Sequence, residues 1–192
     1  MARRQSPVRV RLTPADEMIK PNDDEIRCIL RAADEIIMRA GRDMLAKILK
    51  GSRDKKVLGY GLNSCPVYGC FRQRTLAEIT KLIDWTIDAH YLTWDYHGRL
   101  PLIVFTSEGW DHYKPIYAEE LHQLILHTTE TEEVSALIDR LRETNREVIL
   151  LLLEKMAASK NIGVLRFLEE WKWNEVKKVR SHIDWTIAEI RN

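Results

Sequence analysis

Residues 83–106, IDWTIDAHYLTWDYHGRLPLIVFT, constrain the fold more than any other stretch, because a helical pattern runs directly into a hairpin pattern. In the first part, apolar residues recur at three- and four-residue steps, as on one face of an α-helix. In the second part, residues 92–96 alternate between apolar and polar side chains, and LPLIVF supplies a return strand. His97-Gly98 fits a two-residue turn, with glycine where φ must be positive. We therefore predict a helix that leads straight into a two-stranded ribbon.

The residues before this helix have the periodicity of further helices. Apolar side chains follow helical spacing from 23 to 50, and Asn22 or Asp23 can cap the start. Gly41 is expected to divide this run into two helices, because a glycine inside a helix costs about 1 kcal/mol relative to alanine. Residues 53–71 contain glycine, proline and asparagine breaks, which favour an irregular connection.

Thr75 and Glu78 have the spacing of a capping box, so a third helix is expected to begin there. Two helices, an irregular loop, a third helix and a two-stranded wing form a winged helix-turn-helix over residues 23–114. The predicted fold class is therefore mostly α (α+β), with one two-stranded β-wing.

The rest of the chain, residues 115–192, shows only helical patterns and is expected to form an α-helical C-terminal domain. Short loops predict that successive helices pack antiparallel. The last pair of helices resembles a HEAT-like hairpin. The pentapeptide IDWTI occurs at 83–87 and again at 183–187, but the flanking sequences differ, so we interpret it as coincidence.

Residues 1–22 carry four arginines and no sustained period, and are expected to form a basic, extended arm. A solvated tail and a nucleic-acid-binding arm both fit this composition. The charge is uneven: residues 1–114 carry 19 Lys and Arg against 15 Asp and Glu, whereas residues 115–192 carry 11 against 14. Residues 1–114 and residues 115–192 are therefore expected to have different functions.

The sequence lacks the motifs that several classes of function require. There is no P-loop, nucleophile elbow or HExxH motif, so we expect neither an enzyme nor a bound cofactor. Cys65 and Cys70 have no second ligand pair, so a structural zinc site is not expected. The longest apolar run, at 148–153, is too short to span a bilayer. Without a signal peptide or a disulfide framework, the protein is expected to be cytoplasmic.

Two basic clusters frame the predicted helix-turn-helix. Lys50, Arg53, Lys55 and Lys56 surround the end of the second helix, beside Ser52. A second cluster precedes the third helix, whose N-terminus also offers free N–H groups that suit phosphate; its members are Arg72, Arg74 and the hydroxyl of Thr75. A solvated charged loop is the alternative for each cluster taken singly, but two clusters around one motif favour phosphate contact.

The third helix is not expected to read bases in the major groove. Its face opposite the apolar stripe should present Lys81, Asp84, Trp85 and Asp88. Two carboxylates on a face inserted into the groove would repel phosphates. Nucleic acid is therefore expected to contact the start of this helix and the wing.

Four segments of the chain form one recurring pattern: Gly41 to Ser52, Tyr68-Gly69, Tyr91-Leu92, and Phe105-Thr106 to Gly109. Together these segments resemble the RQC domain, the winged helix at the C-terminal side of RecQ-type helicases. Over its whole length the chain resembles the small stand-alone prokaryotic RQC-minor DNA-binding proteins, which lack a helicase motor, more closely still. The four-cysteine zinc module that precedes the domain in helicases is missing.

The resemblance implies binding to duplex ends, forks or junctions of DNA, in DNA replication or repair. Carried over by position, the contacts to the DNA backbone are Lys50, Ser52, Lys56, Arg72 and Thr75. An aromatic residue or histidine at the wing tip can act as a strand-separating pin in the family, and Tyr96 and His97 are the nearest candidates, with Arg99 as a phosphate contact beside them. This wing is shorter than those of the long-wing helicases, and the alternative is that Tyr96 packs inward beside Trp94.

Three hypotheses about function follow from the sequence. The first is a non-catalytic DNA-binding accessory protein whose residues 115–192 bind another protein. The second is an RNA- or ribosome-associated binding module that uses the same basic face. The third is a protein–protein adaptor that binds no nucleic acid.

Overall fold

The computed structural model describes residues 10–128 and 131–192, so the first nine residues of the predicted arm lie outside it. The chain divides into two compact units, Met1–Tyr113 (unit 1) and Lys114–Asn192 (unit 2). The prediction of a mostly helical fold with one two-stranded wing and a helical C-terminal region is confirmed.

The described part of unit 1 has four α-helices before its wing: α1 (Asp23–Asp34), α2 (Arg42–Lys50), α3 (Lys55–Gly59) and α4 (Leu76–Asp88). Two predicted caps are confirmed, since Asn22 begins α1 and Thr75 begins α4, each with a complete capping box. The break between α1 and α2 is also confirmed. It is longer than predicted, because α1 ends at Asp34 and a turn occupies the residues up to Ala40.

The prediction that residues 53–71 form an irregular connection is wrong in part. The segment contains α3 and a 3-10 turn at Leu62–Ser64. Asp54 is the reason, because its carboxylate accepts a hydrogen bond from the N–H of Lys56 at 2.8 Å and so caps a short helix. Gly51 ends α2 with φ 74°, and the Cβ of any other residue there would lie 3.0 Å from the Cα of Gly69.

The core of unit 1 lies where the long helices and the first wing strand meet. Most of its fully buried side chains come from α1, α2, α4 and the start of the wing, as the helical periodicity predicts. They include Ile29, Leu30, Leu45, Ile48, Leu49, Ile79, Leu82, Ile83 and Leu92.

The wing consists of β1 (Leu92–His97) and β2 (Leu100–Phe105), which pair antiparallel with His97 opposite Leu100. The two turn residues are therefore Gly98 and Arg99, so the predicted turn is displaced by one residue. Gly98 has the positive φ, 63°, that the prediction required.

The wing is fastened to the helices by backbone hydrogen bonds. Ile103 donates its N–H to the carbonyl of Ala40 (3.0 Å) and accepts from the N–H of Met38 (3.2 Å). At the end of β2, the hydroxyl of Thr106 accepts a hydrogen bond from the N–H of Gly109 (2.9 Å). A Cβ at Gly109 would lie 1.7 Å from the carbonyl oxygen of Tyr91, so only glycine fits there. These contacts fix the base of the wing to the helices and do not involve its tip.

After the wing the described residues form further helices: α5 (Ser107–His127), α6 (Thr131–Glu143), α7 (Arg146–Ser159), α8 (Leu165–Lys172) and α9 (Lys177–Arg191). α5 begins ten residues before the predicted start at Tyr117 and includes Pro115, and the division between the units falls inside it. The HEAT-like character of the last pair stays a prediction.

Unit 2 has its own core, formed mainly by α7, α8 and α9. Trp171, Leu152, Leu153, Leu168 and Ile183 are fully buried there. Among the described residues, no helix is both long enough and apolar enough to cross a membrane.

Candidate nucleic-acid interface

Two backbone hydrogen bonds bring the two predicted basic clusters together. The N–H of Gly69 donates to the carbonyl of Ile48, and the N–H of Phe71 donates to the carbonyl of Leu49, both at 2.9 Å. The turn before α4 therefore lies against the last turn of α2. We call the resulting surface the basic strip, and it consists of Lys50, Ser52, Arg53, Lys55, Lys56, Arg72, Arg74 and Thr75.

Lys50 is the residue that joins the two clusters. Its ammonium donates to the carbonyl oxygens of Arg72 and Arg74, both at 2.7 Å. A lysine ammonium has three N–H donors, so two of the three are used inside the protein. Lys50 thus holds the turn before α4 in place, a role that its sequence position did not reveal.

Arg74 and Thr75 are also engaged within the protein. Arg74 forms an ion pair with Glu25 of α1, and its guanidinium lies 5.9 Å from the centre of the Phe71 ring. The hydroxyl of Thr75 donates to the carboxylate of Glu78 at 2.8 Å. Hydrogen bonds from the backbone N–H and the hydroxyl of Thr75 lower the pKa of Glu78. These two residues position the start of α4, and a phosphate would have to compete with their present partners.

Ser52 has a similar structural role. Its hydroxyl accepts from the N–H of Asp54 (3.2 Å), and its carbonyl accepts from the hydroxyl of Tyr68 (2.9 Å). Asp54 forms a 2.8 Å ion pair with Lys47, and hydrogen bonds from Lys47 and from the N–H of Lys56 lower the pKa of Asp54. The tyrosine of the Tyr68-Gly69 motif therefore shapes the loop after α2.

Four cations of the basic strip remain available to a ligand. Arg53, Lys55, Lys56 and Arg72 are exposed, and none of them forms an ion pair with any residue in the described parts of the chain. Arg72 is steered by a hydrogen bond from its Nε to the carbonyl of Gly69 (3.2 Å). The strip thus divides into residues that build the surface and residues that project from it.

The predicted outward face of α4 is wrong at Asp84. Its carboxylate is fully buried and accepts hydrogen bonds from Arg42 at 2.7 and 2.9 Å. Thr13 donates to the same carboxylate through its N–H (2.8 Å) and its hydroxyl (2.7 Å). Asp84 is therefore the centre of a buried polar cluster, and only Asp88 remains as an exposed carboxylate of the predicted pair.

Residues 11–20, which we call the strap, create this environment. The strap contacts α4 at two further points: Glu17 forms an ion pair with Lys81 at 3.5 Å, and the ammonium of Lys20 lies 5.8 Å from the centre of the Trp85 ring. The carbonyl of Arg11 accepts from Arg42. The described part of the predicted arm is thus packed along α4, with a 3-10 turn at Ala15–Glu17, and is neither a solvated tail nor simply extended.

The wing tip projects polar and apolar side chains together. Tyr96 is 42% exposed, and His97 and Arg99 are also exposed, while Trp94 is half-buried. Leu100 is 62% exposed, although an apolar residue in a return strand suggests burial. Leu100 lies directly opposite His97 at the turn, and its closeness to Gly98 was the signal in the sequence that could have identified its exposure.

No group of three or more His, Cys, Asp or Glu side chains is arranged to hold a metal ion within the described ranges. The basic strip offers exposed cations, which suit phosphate, and the wing tip offers an exposed aromatic and apolar surface, which suits an accessible base.

Comparison with known proteins gives two matches. A family model described as RQC domain matches residues 23–130, more than half of the chain. The ATP-dependent DNA helicase RecQ of Bacillus subtilis (strain 168) is 27% identical over 123 residues, which cover 64% of this chain and 20% of the helicase. The chain thus spans about a fifth of the length of this curated relative. No solved structure matches the chain significantly.

Proposed function

Because the chain belongs to the RQC domain family, we propose that it is a non-catalytic DNA-binding accessory protein that recognises duplex ends, forks or other structured DNA. The similarity of the chain to a DNA helicase supports a role with DNA in general. The sequence contains no P-loop, so the proposal includes no ATP hydrolysis by these 192 residues.

The observation that carries the proposal is the division of labour within the basic strip. Lys50, Arg74 and Thr75 use their polar groups to build the surface, whereas Arg53, Lys56 and Arg72 project from it without ion-pair partners among the described residues. Cations that are held on a rigid surface without an internal partner are suited to phosphate oxygens. Contacts of this kind position a nucleic acid but carry little sequence information.

The covered face of α4 supports recognition of DNA shape over recognition of base sequence. The strap lies along this helix and contacts Lys81, Asp84 and Trp85. With the strap in place, the face that a winged helix ordinarily inserts into the major groove is occupied. Binding would then rely on the basic strip and the wing.

The exposed wing tip supports contact with an opened or terminal base pair. Tyr96, His97 and Leu100 project from a ribbon whose base is fastened to the helices, so stacking on a base would require little rearrangement. Each base stacked on an aromatic side chain contributes about 1–3 kcal/mol. We propose that the tip grips a duplex end. Active strand separation is not proposed, because these 192 residues contain no P-loop.

Unit 2 is proposed to bind a protein partner. Trp173 is 77% exposed, and Ile162 and Val176 are also largely exposed. Large apolar side chains that remain open to water often belong to interaction surfaces.

The test is a binding assay with a forked duplex, a blunt duplex, a single strand and double-stranded RNA, each at two salt concentrations. The expected order places fork and blunt duplex first, with affinity that falls steeply as salt rises. A preference for the RNA would favour an RNA- or ribosome-associated module. No binding near physiological salt would favour an adaptor and would refute the proposal.

A triple substitution, Arg53→Ala with Lys56→Ala and Arg72→Ala, probes the strip itself. It should weaken binding to unrelated DNA sequences alike, and the slope of log affinity against log salt should shrink by about one unit for each phosphate that is no longer neutralised. Lys50 is left intact because its removal would disturb the turn before α4. The matched control replaces three exposed cations of unit 2, Arg166, Lys177 and Lys178, and should change affinity much less. Equal reductions of affinity in both variants would show that the strip is not the binding surface.

A further inference from the structure

Two cysteines from separate elements of unit 1 meet beside the basic strip. Cys28 is half-buried on α1, and Cys70 is exposed in the turn before α4. Both line an open cleft of about 280 Å³, together with Glu25, Phe71 and Arg74. The two thiols are 42 residues apart in the chain, so only the tertiary fold makes them neighbours.

The contact between α1 and this turn does not depend on the sulfur atoms alone. Glu25, one turn before Cys28, forms an ion pair with Arg74, four residues after Cys70. The N–H of Phe71 is held by the carbonyl of Leu49. The backbone on both sides of the thiols is therefore fixed, and the pair is held together before any reaction.

The two thiols influence each other's ionisation. Interaction with the Cys70 thiol lowers the pKa of Cys28, although burial and the carboxylates of Asp24 and Glu25 oppose this effect. The same interaction raises the pKa of Cys70. Since the thiolate is the reactive form of cysteine, the first attack on an oxidant is expected from Cys28, with Cys70 as the partner that resolves it.

We propose that Cys28 and Cys70 form a redox-sensitive pair that peroxide converts to a disulfide, linking α1 to the turn that carries Arg72 and Arg74. The thiolate of Cys28 attacks one oxygen of hydrogen peroxide, the O–O bond breaks, and the leaving hydroxide takes up a proton. Cys28 is then a sulfenic acid. The sulfur of Cys70 attacks the sulfur of Cys28, and the S–O bond breaks. The thiol proton of Cys70 leaves with the hydroxide as water. Overall, two thiols and one peroxide give one disulfide and two waters.

Cys65 provides an internal control within the same region. Cys65 is buried, and it lies close enough to Cys70 to help raise the pKa of the Cys70 thiol. It does not line the cleft. A peroxide that enters through the cleft is therefore expected to join Cys70 to Cys28 and to leave Cys65 as a thiol.

The experiment treats the reduced full chain with hydrogen peroxide, alkylates the remaining thiols under denaturing conditions, and maps disulfides by mass spectrometry without reduction. The expected product is one intramolecular Cys28–Cys70 disulfide with Cys65 alkylated. Cys65→Ser should oxidise like the parent, whereas Cys28→Ser and Cys70→Ser should each form no intramolecular disulfide. A Cys65–Cys70 disulfide, or cysteines oxidised only to sulfinic or sulfonic acid, would overturn the proposal.

A second readout follows the stability of the protein. A disulfide that closes a loop of this length restricts the unfolded chain, so the oxidised protein should melt about 5 °C or more above the reduced protein. Dithiothreitol should reverse the difference, and Cys70→Ser, at an exposed position, should show none. A mapped disulfide that leaves the melting temperature unchanged or lowers it would show that the thiols are not preorganised for closure.

The link to nucleic acid rests on the proposed function and is tested separately. Cys70 lies two residues before Arg72, so DNA bound at the strip should cover the cleft and lengthen the half-time of disulfide formation. An unchanged half-time in a protein that binds the duplex would place the DNA elsewhere and overturn this link. Failure to bind any duplex would refute the proposed function, while the disulfide map would still decide the redox proposal.

Discussion

The pentapeptide Ile-Asp-Trp-Thr-Ile occurs once in each unit, at 83–87 in α4 and at 183–187 in α9. The isoleucines and the threonine are buried in both copies, because residues at i, i+3 and i+4 share one face of a helix. The aspartates differ. Asp84 is fully buried between Arg42 and Thr13, whereas Asp184 is exposed and pairs with Lys172 at 2.5 Å. Identical local sequence therefore determined the buried face but not the environment of its polar neighbour.

The cause of the difference lies outside both pentapeptides. In unit 1, the strap passes along α4 and supplies the donors of Thr13, while Arg42 from α2 supplies the positive charge. In unit 2, the side chain of Asp184 is half exposed to solvent, and the side chain of Lys172 is its only ion-pair partner among the described residues. The carboxylate of Asp84 can be buried because three donor groups reach it: the guanidinium of Arg42 and the N–H and hydroxyl of Thr13.

The largest expected loss of stability comes from removing the buried carboxylate of Asp84. Asp84→Ala should lower the free energy of unfolding by about 3–5 kcal/mol, because it leaves Arg42 as a largely buried charge without its partner. Arg42 is sensitive for a second reason, since its Nε is buried and has no hydrogen-bond partner in the described structure. Urea denaturation followed by circular dichroism measures the change.

Asp184→Ala is the matched control in the other copy. An exposed ion pair contributes about 0–1 kcal/mol, so this variant should unfold close to the parent. Equal costs for the two substitutions would contradict the environments described above.

The next effect tests whether the strap is responsible for the difference. Thr13→Val removes the hydroxyl that donates to Asp84 but retains the backbone N–H and the shape of the side chain. Hydrogen bonds to charged groups contribute about 1.5–3 kcal/mol, so a decrease in stability near the lower end of that range is expected. In the Asp84→Ala background the same substitution should cost much less, because its acceptor is gone. Full additivity of the two changes would indicate that the strap stabilises unit 1 by other contacts.

The smallest expected change in stability concerns the threonine of the pentapeptide, which is buried in both copies. Thr86 donates its hydroxyl to the carbonyl of Ile83 in its own helix (2.7 Å), and Thr186 donates to the carbonyl of Leu153 in α7 (3.3 Å). Valine retains the buried shape, and neutral hydrogen bonds contribute about 0.5–1.5 kcal/mol, so each Thr→Val variant should be destabilised by about 1 kcal/mol or less. A much larger destabilisation at Thr186 alone would show that the bond to α7 fixes the position of α9.

The wing and the basic strip show how far prediction from sequence reached. The alternation at 92–96 and the glycine at 98 predicted a hairpin, with an error of one residue in the turn. A cap at Asn22 or Asp23 and a capping box at Thr75 were predicted, because a cap depends on residues within one turn of the chain. The positions of the basic clusters were also predicted. The sequence did not reveal that Lys50 bonds to the backbone of the turn before α4, because its partners lie 22 and 24 residues away.

The sequence by itself determined the elements whose causes lie within a turn or two of the chain: the starts of α1 and α4, the apolar faces of α4 and α9, and the alternation along β1. Tertiary structure decided which polar residues of the basic strip form hydrogen bonds within the protein and which remain available to a ligand. It buried Asp84 under a strap 71 residues away and placed Cys28 beside Cys70. The physical reason is that periodicity and capping act through neighbouring backbone groups. The environment of a charge or a thiol is set by distant segments, and no local pattern records where those segments pack.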